Sequence, residues 1–198
     1  AVFSADMVVG FCSHGNLASP RVGALAPVVA TLFSAAHARG IPHFVLTQDT
    51  HSPDTPEFDA FPSHCIRDTA ESRTIPELLH LPFSDKFTII EKNSLHPSLG
   101  TGLESWLEQH PGLRDLIVVG NCTDLCIYSL AMHLRLRANA YNLKRQRVIV
   151  PADAVDTFDI TIDATISMGG MAHPGNLFHY LFLYHMALNG VEVVRSII

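Results

Sequence analysis

Three residues far apart in the chain, Asp6, Lys92 and Cys126, are of the types that a thiol hydrolase needs. A free thiol is mostly protonated at neutral pH. A carboxylate within reach can take that proton, an ammonium can hold the thiolate, and the same carboxyl can return the proton to a departing amine. Cys126 lies in Leu116–Arg135, LIVVGNCTDLCIYSLAMHLR. The apolar run Leu116–Val119 breaks at Gly120 and resumes at helical spacing through Leu125, Leu130, Leu134 and Leu136. That pattern reads as a buried strand, a tight turn and a helix. Thr123 stands where its hydroxyl can cap the helix, and Cys126 falls in the first turn, where free amides and the helix dipole favour thiolate. Backbone amides of the turn 121–126 can form an oxyanion hole. The competing reading makes Cys126 a small packing residue and Asp6–Lys92 an ion pair that ties two strand ends together.

A second set is Asp49-Thr50-His51 with Pro62-Ser63-His64-Cys65. Asp and His two apart in an extended stretch can point to one side. With His64 they offer three oxygen and nitrogen ligands and leave positions open for water or substrate. Zinc or iron(II) suits such a set, and manganese is a third choice. Spacing alone leaves a metal site and a group of solvated loop histidines equally open. Cys12 and Cys65 read as packing residues.

These side chains need a scaffold to bring them together. Strands are expected at residues 2–9, 42–47, 86–90, 113–119, 148–150 and 191–197. Helices are expected at 22–39, 102–109, 160–167 and 177–188, with Pro27 in a first turn and a long polar loop over 48–73. Strands alternating with helices make right-handed βαβ units and a parallel sheet. Ligands bind such sheets beyond the carboxyl ends of the strands. Asp6, Asp49, His51, Lys92 and Cys126 all fall at that edge, and packing residues have no reason to collect there.

The 198 residues, 47% of them hydrophobic, suit a single domain over 1–198 with a sizeable core. The net charge of −6 with no basic stripe argues against nucleic acid. No apolar run of membrane-spanning length and no signal peptide are read, so no membrane partner is expected. Four cysteines, Cys12, Cys65, Cys122 and Cys126, are too few for a disulfide scaffold, and a reducing, cytoplasmic location follows.

The motifs together resemble the isochorismatase-like cysteine hydrolases, and within them the nicotinamidases. Asp6-Met7-Val8-Val9-Gly10-Phe11-Cys12 resembles the strand-one motif with its aspartate and later aromatic. Asp49-Thr50-His51-Ser52-Pro53 and Phe61-Pro62-Ser63-His64-Cys65 resemble the metal motifs. Lys92 with Gly100-Thr101-Gly102-Leu103 resembles the lysine segment, and Gly120–Ile127 the nucleophile segment. Ala172-His173-Pro174 with Leu177, His179 and Tyr184 resembles plant-type members. The chain departs from the pattern at Thr50 and Phe61, where tryptophan is usual, and at Lys92–Pro97, which lacks the usual basic–aromatic form.

The resemblance implies a three-layer, Rossmann-like sandwich around a parallel six-stranded sheet, with a catalytic triad of Asp6, Lys92 and Cys126. It implies one divalent metal, zinc first and iron or manganese after it, on Asp49, His51 and His64. It implies a cis peptide at Asn121–Cys122 that turns the amides of Cys122 and Cys126 toward an oxyanion. Phe11 and Phe61 have the size to sandwich a pyridine ring. The activity implied is hydrolysis of nicotinamide to nicotinate and ammonia through a thioester. The alternatives are a metal-free relative acting on another small amide, a carbamoyl compound or an isochorismate-like ether, and a non-enzymatic binding module on the same fold. Oligomeric state, including a homo-oligomer, is left open.

Overall fold

The computed structural model describes residues 1–168 and 171–197. In chain order the elements are β1 (Val2–Ala5), α1 (Val9–Cys12), α2 (Pro20–Gly23), α3 (Ala26–Ala38), β2 (Phe44–Asp49), α4 (Pro76–Leu79), β3 (Phe87–Lys92), α5 (Leu103–Gln109), β4 (Asp115–Asn121), α6 (Cys126–Ala140), β5 (Arg147–Pro151), β6 (Val155–Asp156), α7 (Ile162–Met168), α8 (Gly175–Leu188) and β7 (Glu192–Val194). Six strands run in the order β3-β2-β1-β4-β5-β7, and the two-residue β6 pairs with β4 as a seventh. All these pairings are parallel. The expected six-stranded sheet is therefore present, with one short strand more than its sequence pattern announces.

Alternation along the strands feeds two cores. Phe3, Val45, Leu116 and Val118 join Leu103 and Leu107 of α5, Leu130 and Leu134 of α6, and Met186 of α8. Val2, Phe44, Leu46 and Val119 join Val29, Leu32 and Phe33 of α3 and Leu78 of α4. Helices thus cover both faces of the sheet. On α6 the buried stripe is Ile127, Leu130, Ala131, Leu134 and Ala138, while Leu136, expected inside, faces solvent. The expected helix at 22–39 is two helices, with Pro27 in the first turn of α3 as expected. Taken together, the helical stretch Pro20–Ala38 is long and apolar enough, by length and composition, to cross a membrane. Here its residues Val29, Leu32, Phe33 and Ala36 pack against the sheet.

The sheet order reverses direction between β1 and β4, which makes their carboxyl ends a topological switch point. Ala5 pairs with both Thr47 and Gly120, and Asp49 pairs with Lys92. This register brings the ends of four strands to one edge.

Candidate active site

β1 stops at Ala5, shorter than its apolar run suggests, because Asp6 takes φ +52 and turns the chain out of the sheet. Non-glycine residues seldom adopt this conformation, and it is held here from several sides. The Asp6 amide donates to the Thr47 carbonyl at 2.9 Å. Its carbonyl accepts from Asn121 Nδ2 at 2.6 Å, and its Oδ1 from the Asp49 amide at 2.8 Å. Its Oδ2 lies 2.9 Å from Lys92 Nζ. Lys92 Nζ also donates to Asp49 Oδ1, and it lies 3.7 Å from Cys126 Sγ. A carboxylate oxygen of Asp6, one of Asp49 and the Cys126 sulfur all lie within 4.8 Å of one another. The side chains of Asp6 and Lys92 are wholly buried.

Burial, reinforced by the Asp49 charge, pushes the Asp6 carboxyl up to about 6. Burial opposes the Lys92 ammonium, but Asp49 and Asp6 outweigh it and hold its pKa well above the ordinary value. Burial first, and then the Asp6 charge, push the Cys126 thiol well above its ordinary range, with Lys92 pulling the other way. The expectation of a resting thiolate is thereby corrected. A helix start and one ammonium do not offset full burial beside a carboxylate. At neutral pH the thiol carries its proton, and an ionised carboxylate stands beside it to receive it.

The elbow after β4 depends on Gly120, whose φ is +112. A Cβ there would sit 2.2 Å from the Ala5 carbonyl oxygen, so only glycine lets β4 run this close to β1. The Asn121–Cys122 peptide is cis, as the resemblance implied. Cys126 is the first residue of α6, and neither its amide nor that of Cys122 has a backbone acceptor among the described residues. Thr123 does not cap the helix. Its hydroxyl lies 2.9 Å from His179 Nδ1, and the N-cap position is Leu125, with no side-chain cap bond. Asp124, also in the elbow, is tied to His173 Nε2 at 2.8 Å, with the His173 ring stacked between Phe158 and Phe178. The segment leading into α8 thus braces the elbow from outside.

A second cluster adjoins the first and shares Asp49. Asp49, His51, Glu57 and His64 each present a ligand atom, all within 4.8 Å of one another. His51 Nε2 lies 3.4 Å from Asp49 Oδ1 and 3.7 Å from Glu57 Oε1. His64 Nε2 lies 3.9 Å from Asp49 Oδ2 and 4.0 Å from Glu57 Oε1. Asp49 Oδ2, His51 Nε2 and Glu57 Oε1 are buried without a hydrogen-bond partner among the described residues. Orphaned buried acceptors are costly. Several of them facing one point are what a cation would satisfy, and two imidazoles with two carboxylates suit zinc, iron(II) or manganese. His64 Nδ1 lies 2.7 Å from the Pro62 carbonyl, which can only accept, so its proton sits on Nδ1 and Nε2 is bare. The residues present therefore fit a divalent metal.

Glu57 was not legible as part of this set. It lies six residues beyond His51 at no ligand spacing, and a single 3-10 turn, Pro56–Asp59, carries it inward. Phe11 is buried 5.4 Å, ring to ring, from His64, and Phe61 stands farther off at 6.4 Å. Phe58, also unremarked in the sequence, lies 5.4 Å from both His51 and His64. Cys65 packs with Phe11 and Cys122, and burial pushes its thiol up, in keeping with a packing role.

Known proteins bear out this architecture. Nicotinamidase 1 of Arabidopsis thaliana is 30% identical over 208 residues, an alignment covering 97% of this chain and 84% of that relative. The crystal structure of a pyrazinamidase/nicotinamidase from Streptococcus mutans superposes with a TM-score of 0.75 at 20% identity, covering 98% of each chain. A pyrazinamidase of Pyrococcus horikoshii solved in complex with zinc gives 0.74 at 20% identity, covering 98% of this chain and 97% of that one. The sequence profile of the Isochorismatase domain matches residues 1–178. With that match over most of the chain and the fold it shares with these hydrolases, the chain belongs to the isochorismatase family of hydrolases.

Proposed function

We propose that this amidohydrolase is a metal-dependent nicotinamidase, hydrolysing nicotinamide to nicotinate and ammonia through a thioester on Cys126. The observation that carries this reading is the double role of Asp49. One of its oxygens accepts from Lys92, in the cluster around Cys126, while the other faces His64 in the ligand cluster. A substrate with a ring nitrogen at one end and a carboxamide at the other matches two sites joined in this way. The similarity to a plant nicotinamidase supports the same substrate class.

Asp6 takes the proton of the Cys126 thiol, and the sulfur attacks the carboxamide carbon. The negative charge gathers on the former carbonyl oxygen, where the amides of Cys122 and Cys126 donate to it. The C–N bond breaks as Asp6 returns the proton to the departing nitrogen, releasing ammonia and leaving a thioester. Asp6 then draws a proton from water, which attacks the thioester; nicotinate leaves and the sulfur recovers its proton. Lys92 keeps Asp6 ionised and steadies the charge on sulfur during both steps. Asp49, His51, His64 and Glu57 would hold the metal, zinc by our reading, and the ion when bound supplies a Lewis-acid contact for the pyridine nitrogen. Phe11 and Phe61 flank the ring, with Phe58 beside them.

The test is ammonia release from a panel of small amides and carbamoyl compounds, with and without chelator, for the parent, Cys126→Ala and Cys122→Ala. Nicotinamide should be the best substrate, Cys126→Ala should be inactive and Cys122→Ala active. Activity of Cys126→Ala within tenfold of the parent would remove it as nucleophile. An active enzyme with no bound metal and no response to chelator would leave a cysteine hydrolase of another small amide.

A further inference from the structure

We propose that Asn93 is a positioning residue for the metal site: it locks the His51 ring in the tautomer whose Nε2 is free to bind metal. The proposal rests on the metal reading above and deepens it.

Pairing of β2 with β3 decides where Asn93 lies. Asp49 pairs with Lys92, and the Thr50 amide donates to the Lys92 carbonyl at 2.8 Å. The residues just beyond, His51 and Asn93, therefore leave the sheet side by side. Which end of the Asn93 amide faces His51 is settled by a third group. The Ser52 backbone amide, which can only donate, lies 2.8 Å from the same Asn93 atom that lies 3.2 Å from His51 Nδ1. That atom is the oxygen, Oδ1. His51 Nδ1 must then carry a proton and donate, so in the neutral ring His51 Nε2 is the bare lone pair, buried and unpartnered among the described residues.

The alternative tautomer explains why this needs locking. With its proton on Nε2, His51 could donate to Asp49 Oδ1 at 3.4 Å, with the Glu57 carboxylate near the same hydrogen. The cluster would then satisfy itself and compete with any cation. Asn93 draws the proton to the far side of the ring and prevents that collapse. The same arrangement recurs around the site. The Pro62 carbonyl holds the His64 proton on Nδ1 at 2.7 Å. The Leu95 amide, two residues beyond Asn93, lies 3.3 Å from Glu57 Oε2 and leaves Oε1 facing the histidines. Each of these three ligand side chains thus has one polar atom engaged from behind and one left open in front. The Lys92–Pro97 stretch, which departs from the usual basic–aromatic form, provides two of the three supports.

The experiment measures zinc binding by chelator competition for the parent, Asn93→Leu, Asn93→Asp and His51→Ala. Nitrogen-15 NMR of the imidazoles in the chelator-treated proteins reports the tautomer. Asn93→Leu should weaken zinc binding by about 10–100-fold, the scale of losing an outer-shell partner. It should also move His51 toward the Nε2–H form. Asn93→Asp keeps the acceptor and should bind zinc no more weakly than the parent, with His51 still protonated on Nδ1. A merely structural Asn93 would leave the tautomer unchanged. The proposal is overturned if Asn93→Leu binds zinc within threefold of the parent while His51→Ala does not bind it. It is also overturned if the metal-free parent itself shows His51 in the Nε2–H form, a result that needs no variant to fold. A parent that binds no zinc would remove the metal reading itself, and is thereby distinguished from failure of the Asn93 assignment.

Discussion

Asp6→Asn tests the electrostatics of the buried cluster and its chemistry together. In the parent, the carboxylates of Asp6 and Asp49 share one ammonium beside a neutral thiol, leaving a net negative charge out of contact with water. The Asp6 carboxyl goes from an ordinary 3.8 to about 6 on folding. Between those values the folded protein holds a proton that the unfolded chain has released. The stability Asp6 contributes is therefore full below 3.8 and is lost as pH rises through about 6. That displacement corresponds to about 3 kcal/mol. Asparagine keeps one oxygen, enough for the Asp49 amide or for Lys92 but not for both, and its NH2 then faces a donor at a cost that does not vary with pH; it cannot ionise, so the variant lacks the pH-dependent loss. Urea unfolding of chelator-treated parent and variant from pH 4 to 7.5 isolates the effect. Carboxylates remote from the cluster tilt both curves alike and cancel in the difference. The difference should move in favour of the variant by about 2 kcal/mol over this range, because at pH 4 the unfolded carboxyl is already partly ionised. Turnover should meanwhile fall by about 10²–10⁴-fold, the usual value of a general acid–base. Parallel stability curves, or a parent that gains on the variant as pH rises, would refute the electrostatic account. Near-parent thioester formation in the variant would refute the proton-transfer role.

The remaining predictions concern the elbow and the ligand cluster. Alkylation of resting Cys126 should climb only at pH values above those of an ordinary thiol, because burial and Asp6 hold its proton, and Lys92→Met should slow it further; a rate already at its plateau below pH 7 would contradict this. Gly120→Ala should cost at least about 3 kcal/mol in urea unfolding, since the new Cβ meets the Ala5 carbonyl at a positive φ; a loss under about 1 kcal/mol would show that β1 and β4 can separate there. Glu57→Gln should weaken zinc binding at least about tenfold while leaving the fold intact, and unchanged affinity would exclude Glu57 from the ligand set.

Much of this protein can be read from the order of its residues, because the relevant physics is local or periodic. The apolar runs and helical spacings marked the parallel sheet and its covering helices. Oddly placed polar residues at the strand ends marked Asp6, Asp49, His51, Lys92 and Cys126 as a set before any contact was known. Three features depended on tertiary structure. Glu57 and Asn93 reach the ligand cluster by a 3-10 turn and by the pairing of Asp49 with Lys92, and no sequence interval encodes either approach. Thr123 has the type and position of a helix cap, yet its hydroxyl lies beside His179 from α8 instead. The charge state of Cys126 could not be judged from a helix start and a lysine alone. Burial and the distances to Asp6 and Lys92 decide whether a thiol keeps its proton, and folding alone sets both.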